Sequence, residues 1–179
     1  MTASGLTRQD VKPIGLKPEE FQDAFMSKKI DAASTWNYPL TQIKHQLGTD
    51  GVIFYDKDIY TETFNIAAQQ SFVHNHPDTT RRFLRALIKA EDFVAKYPDE
   101  AQTIMSVSTK IDKSMIHEVW DAFNYHVVQD QTLLLTLEDE TRWAIKHKLT
   151  DKTVMPDYLS YIHLDSLKAI KPEAIKMTR

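Results

Sequence analysis

The sequence predicts a helix-rich α/β fold, and three observations carry that prediction. Glycine is scarce: 4 in 179 residues, about 2% where an average chain has about 7%. So few leave little for tight hairpins or phosphate loops. A helix-start signal recurs four times, at Lys17-Pro18-Glu19-Glu20, His76-Pro77-Asp78, Tyr97-Pro98-Asp99-Glu100 and Lys171-Pro172-Glu173. Proline fits the first helical position, where its missing N–H is not needed and its φ already suits the helix. The acidic residues after it face the positive end of the helix dipole. Finally, in the first third of the chain short apolar runs flank an amphipathic helix.

The elements follow in order. Val11 to Leu16 is a strand candidate. Pro18 to Lys28 is a helix with Phe21, Ala24 and Phe25 on one face. Ile30 to Trp36 is a second strand candidate, and the three together read as a βαβ unit with a parallel pair. A helix from Pro39 to Leu47 stops at Gly48. Val52 to Tyr55 and Thr61 to Ala68 are further strands.

From Ser71 onward the pattern turns helical. Asp78 to Lys96 carries Phe83, Leu84, Leu87, Ile88, Ala90 and Val94 as a 3.6-residue stripe, with Arg81, Arg82, Arg85 and Lys89 toward water. Pro98 to Val107 follows. Asp112 can cap a helix carrying Met115, Ile116, Val119, Trp120 and Phe123. Asn124 to Val128 reads as a short strand and Thr132 to Leu149 as a long helix. Short helices near Asp165 to Ile170 and at Pro172 end the chain. A parallel βαβ expects more strands and helices on both faces, so the sequence looks as though it begins partway through a fold.

Composition narrows function. The balance of 22 basic and 25 acidic residues gives a net charge of −3, with 26% charged and 42% hydrophobic residues. That is the profile of a soluble globular protein, with no positive excess to hold nucleic acid or an anionic membrane. A chain of this length can bury roughly 70% of its unfolded surface, so it needs no metal or disulfide to fold. Cysteine is absent, which removes disulfides, cysteine zinc sites, iron–sulfur ligation and any thiol nucleophile. Met1 to Asp10 has one basic residue and no apolar run, so no secretory signal is visible. No run approaches the 18 or so apolar residues of a membrane span.

Catalytic motifs are missing: there is no GxSxG, HExxH, Walker loop or GxGxxG. Asp130, Glu138, Asp139 and Glu140, with Lys146 and Lys148 downstream, read as a solvated helix face. His74 and His76 have the i, i+2 spacing of ligands on a strand, but no third ligand stands nearby and the segment runs into a helix start. No metal and no cofactor are expected.

The segment Ile30 to Leu47 is the most informative. A strand ending at Trp36-Asn37-Tyr38-Pro39 puts an aromatic and two polar side chains at the strand's carboxyl edge, where open α/β sheets bind ligands. A core tryptophan followed by a helix-starting proline fits the spacing equally well. A second candidate is Tyr60-Thr61-Glu62-Thr63-Phe64, which reads equally as a plain strand with alternating faces.

The ordered series Leu16-Lys17-Pro18-Glu19-Glu20-Phe21, Ala24 to Ala33 and Trp36-Asn37-Tyr38-Pro39 resembles the periplasmic solute-binding proteins of nitrate, sulfonate, taurine and thiamine-precursor ABC transporters. Leu47-Gly48, Asn75-His76-Pro77, Phe83 to Leu87, Tyr97 to Ala101, Asp130-Gln131 and Ile170-Lys171-Pro172 continue the likeness. The resemblance covers only the carboxyl-terminal part of that family. It implies a partial type II, two-lobe periplasmic-binding fold lacking its amino-terminal portion. Residues 5–58 would close the second lobe, 59–70 cross back, and 71–179 pack on the first lobe.

The resemblance also implies a function. The chain would be a non-catalytic substrate-binding component of an importer for a small nitrogen- or sulfur-containing solute, such as a sulfonate, nitrate, taurine or a pyrimidine. Trp36, Asn37, Tyr38, Tyr60 and Thr61 would be its share of the cleft. A membrane permease would be the partner and the periplasm, or another extracytoplasmic space, the location. Apolar faces meant for the absent part would favour a homo-oligomer. Two alternatives stand beside this reading. One is an enzyme related to the thiamine-pyrimidine synthases, whose chemistry depends on cysteines that this chain lacks. The other is a helical interaction module indifferent to small solutes.

Overall fold

A computed structural model describes residues 5–7, 9–55 and 61–177 of the chain. They are helix-rich and fall into two compact units. Unit 1 takes the first 56 residues with Gln102–Phe123, and unit 2 takes Lys57–Ala101 with Asn124–Arg179.

In unit 1 a 3₁₀ turn at Pro18–Glu20 leads into α1 (Phe21–Met26). Its start is fixed as the sequence suggests, because the Glu20 carboxylate turns back to accept the Lys17 backbone N–H at 2.7 Å. α2 (Asn37–Leu47) packs on α1 and on the short α6 (Lys113–Glu118). The helix stops at Gly48, whose φ of 55° is in the region only glycine enters freely. Lys44 Nζ donates to the Gly48 carbonyl at 2.7 Å and to the Gly51 carbonyl, closing the exposed end of α2. The core is small: Ala24, Thr41, Ile43, Gln102, Ile116 and Val119 are buried, and Ile116 is fully so.

Unit 2 is built on α4 (Pro77–Lys96), which follows α3 (Gln70–Asn75) and has Pro77 in its first turn. α8 (Asp165–Lys168) packs across α4. α5 (Pro98–Thr109) contains the boundary between the units. α7 (Gln131–Lys146) is capped by Asp130, whose carboxylate accepts the Thr132 N–H at 3.0 Å. Thr141 Oγ1 and the Tyr158 hydroxyl join α7 to a 3₁₀ turn at Tyr158–Tyr161. β1 (Gln129–Asp130) and β2 (Ile175–Lys176) form a parallel pair, with Gln129 opposite Ile175. Ala101, Leu134, Leu167 and Ala174 are the buried apolar residues of unit 2 among the described residues, with Ser166 also buried.

The long helices stand where the sequence puts them, but α3 was not expected. The helix expected through Phe123 ends at Glu118, the start at Pro172 makes only a 3₁₀ turn, and the expected strands do not form. Val11–Leu16, Ile30–Trp36, Val52–Tyr55 and Thr61–Ala68 carry no ladder among the described residues. A strand needs an opposed edge to satisfy its backbone, and an apolar pattern cannot report whether that edge exists. Asn124–Val128 has a more specific reason. The Val127 N–H is taken by the Glu91 carboxylate at 3.2 Å, so pairing begins only at Gln129. Residues 56–60, at the junction expected between lobe and crossover, lie outside the described residues.

The low glycine content leaves a mark at helix ends. Lys28, Lys110 and Lys148 have φ of 57°, 61° and 56°, each just past a helix, where glycine is the usual residue. At Lys148 the turn is closed by Lys148 N–H to the Ile145 carbonyl at 3.1 Å and Leu149 N–H to the Ala144 carbonyl at 2.9 Å. A side chain in this conformation costs about 1 kcal/mol. Lys148→Gly is therefore expected to raise stability by about 1 kcal/mol, whereas Lys89→Gly inside α4 should lower it by a similar amount. Paired urea melts of the two variants check the sign.

Candidate functional site

The site candidates lie at the start of α2, and the local sequence explains its form. Trp36 precedes the helix with extended backbone, φ −75° and ψ 166°. Its carbonyl accepts the Leu40 N–H at 3.0 Å, the first intrahelical bond. The N–H groups of Asn37 and Tyr38 thus have no partner within the helix, and Pro39 has none to give. No side chain caps this end and no acidic residue lies in its first turn, while Lys44 and His45 occupy the last. The positive end of the α2 dipole is left without a counter-charge from its own helix.

Around that end the side chains divide the work. Trp36 is 52% exposed, so its indole presents a flat apolar face rather than filling the core. Asn37 is half-buried. The Tyr38 ring stacks on Phe123 with centroids 6.0 Å apart and planes at 27°. Burial pushes the Tyr38 phenol above its ordinary value, so it stays a neutral donor at physiological pH. Thr35 Oγ1, one residue before Trp36, is buried and has no hydrogen-bond partner.

Trp36, Asn37 and Tyr38 are therefore gathered on one helix start in unit 1. Thr61 is exposed in unit 2, and Tyr60 lies outside the described residues. Two residues escape a reading of the sequence. Phe123 looks like the end of a helical stripe but follows a 3₁₀ turn at Trp120–Ala122, and nothing in the spacing pairs it with Tyr38, 85 residues away. Thr35 reads only as part of a strand.

Several histidines are held by neighbours within their own units. His45 Nε2 lies 2.8 Å from Glu118, His117 Nδ1 3.2 Å from Gln102 Oε1, and His163 Nε2 2.8 Å from Ser166 Oγ. His76 lies beside Phe72 with ring centroids 4.9 Å apart. Among the described residues no three His, Asp or Glu side chains gather as a metal site, and no helix is long and apolar enough to cross a membrane. An open cavity of about 430 Å³ over the first turns of α4 is lined by Asp78, Arg82 and Arg85. It lacks the apolar wall expected of a solute pocket.

Comparison with known proteins adds a second line. The family model described as NMT1/THI5-like matches residues 1–101. A Brucella abortus protein named as a binding protein is 32% identical over 120 residues, covering 62% of this chain and 36% of its own length. A Brucella suis counterpart gives the same figures. A Bacillus subtilis protein named for binding aliphatic sulfonates is 30% identical over 111 residues, covering 62% of this chain and 33% of its own. The chain spans about a third of the length of the curated relatives it matches. No solved structure matches it.

Proposed function

The chain belongs to the NMT1/THI5-like family, and from that premise we propose that it serves as part of the substrate-binding component of an ABC importer. The solute is a small nitrogen- or sulfur-containing molecule, and the name of the Bacillus subtilis relative favours a sulfonate among these. The component works without catalysis in the periplasm or another extracytoplasmic space and delivers its solute to a membrane permease. Its fold is a portion of a type II two-lobe binding protein. Residues 5–58 belong to the second lobe, 59–70 to the crossover, and 71–179 to the surface that covers the first lobe.

One observation carries this reading: an exposed tryptophan immediately precedes a helix start that has no capping side chain and no acidic residue in its first turn. Such an end favours an oxyanion, and the indole face suits the organic part of an alkanesulfonate. The Asn37 amide and the Tyr38 hydroxyl orient the polar group. The test is a tryptophan-fluorescence titration of the chain with ethanesulfonate, taurine, nitrate and an aminopyrimidine. A saturable response to one solute is expected, with Trp36→Ala weakening the affinity, followed by calorimetry, at least tenfold, or about 1.4 kcal/mol. No response to any solute, or an affinity indifferent to Trp36, sinks the assignment.

A further inference from the structure

The open cavity on α4 has a chemistry of its own, separate from the candidate site on α2. Its volume is about 430 Å³, and Asp78, Arg82 and Arg85 line it. These three stand at i, i+4 and i+7, so one stripe of the helix presents them all. A wall made of charged side chains suits an ionic ligand rather than an apolar one.

Charge around the cavity is unbalanced. α4 carries five basic side chains against three acidic ones, in a chain of net charge −3. Asp78 is already satisfied, because Arg81 Nη2 donates to its Oδ1 at 2.5 Å. Glu91 is taken by Lys171, His126 and the Val127 N–H. Arg82 has one weak contact, Nη2 to Thr79 Oγ1 at 3.4 Å, longer than an ordinary hydrogen bond. Arg85 has no hydrogen bond or ion pair among the described residues. One turn away from it stand three cations, Arg81, Arg82 and Lys89, and no acid. Like charges at this spacing cost helix stability. On α7 the matching problem is solved within the helix, where Arg142 pairs with Glu138 and Asp139.

We propose that the Arg82–Arg85 cavity binds a phosphate dianion, free or as a monoester. With Asp78 and Arg81 neutralising each other, the two remaining guanidinium groups match its two charges. Each can donate a planar pair of N–H groups to the phosphate oxygens. The bound anion also relieves the repulsion that the helix otherwise carries. The solute assignment rests on Trp36 and its neighbours, so either reading can fail without the other.

The test is a calorimetric titration of the full chain with inorganic phosphate and, separately, with glycerol phosphate. Mildly alkaline pH favours the dianion, and low ionic strength limits the screening of exposed charges. One saturable site per chain is expected for at least one of the two probes, which identifies the source. Arg85→Gln should weaken it about tenfold or more. Lys89→Gln, one turn beyond the cavity, should change it about twofold or less. Asp78→Asn should tighten it, since that change removes the negative charge from the cavity wall. All three side chains are exposed, so the helical circular dichroism should not change. The Asp78→Asn arm stands even where Arg85→Gln misfolds. Absence of saturable binding with both probes overturns the proposal. So does an equal loss in Arg85→Gln and Lys89→Gln, the mark of diffuse attraction to a basic helix. An affinity that Asp78→Asn leaves unchanged or weakens overturns it as well.

Discussion

Ile116→Ala is expected to destabilise unit 1 by about 3 kcal/mol, the usual cost of emptying a fully buried aliphatic site. Ile116 is the only large side chain among the described residues with no exposed surface. It lies in α6, which packs against α2, and the core it shares is otherwise small: Ala24, Ile43 and Val119. Few neighbours can move in to fill the gap, so the cost should not relax to the low end of the range. The consequence reaches the candidate site. α6 and the turn after it hold α2 through the His45–Glu118 contact at 2.8 Å and the Tyr38–Phe123 stack. A loosened α6 frees the helix start at Trp36 as well. Unit 1 contains Trp36 and Trp120, and unit 2 contains Trp143. A urea melt followed by fluorescence in a Trp143→Phe background therefore reports unit 1 alone. An effect below about 1 kcal/mol would mean that α6 is not the support of α2.

How much of this was legible in the sequence depends on the kind of interaction. The proline-marked starts of the long helices were, because each is written within four residues. By contrast, α3 carries no such signal, and Asp112, though it precedes α6, makes no capping hydrogen bond. Lys17 to Glu20 gives a turn whose carboxylate caps its own start, and Asp130 caps α7 two residues on. Gly48 marks the stop of α2 for an equally local reason. Strands were not, because a ladder is a relation between distant segments. The apolar run at Val52–Tyr55 looks like a strand whether or not an edge faces it. The Val127 N–H was lost to pairing through a carboxylate 36 residues away. The same division holds at the candidate site. Trp36, Asn37 and Tyr38 stand out because they are consecutive at a helix start, whereas Phe123 could be placed only by the packing of α6 on α2. Helix ends at Lys28, Lys110 and Lys148 were also misleading, since lysine there gives no sign of a positive φ.

Glu91 offers the sharpest test of unit 2, because one carboxylate ties three parts of it together. It accepts Lys171 Nζ at 2.6 Å, His126 Nδ1 at 3.1 Å and the Val127 N–H at 3.2 Å. These contacts fasten α4 to the segment before β1 and to the turn before β2. Glu91 and Lys171 side chains are only 16% and 20% exposed, so neither regains full hydration when the other is removed. Burial alone would push the Glu91 carboxyl up. The hydrogen bonds from Lys171, His126 and Val127, with the Lys171 charge, outweigh it and hold the group below its ordinary value. A carboxylate with a lowered folded pKa stabilises the fold fully above its unfolded pKa. That contribution is lost as pH falls through the unfolded value and on toward the folded one. Unit 2 should therefore weaken in acid, and Glu91→Gln should remove this part of the acid sensitivity. At neutral pH Glu91→Gln is expected to cost about 2 kcal/mol, less than the 3–5 kcal/mol of a fully buried pair because both groups keep some contact with water. Lys171→Met, which leaves the carboxylate with its His126 and Val127 contacts, should cost less. Melts of the three proteins at neutral and acidic pH, followed through Trp143 with Trp36 and Trp120 replaced by phenylalanine, separate the terms. Equal acid sensitivity in the parent chain and in Glu91→Gln would show that the link between α4 and β1 does not depend on this carboxylate's charge.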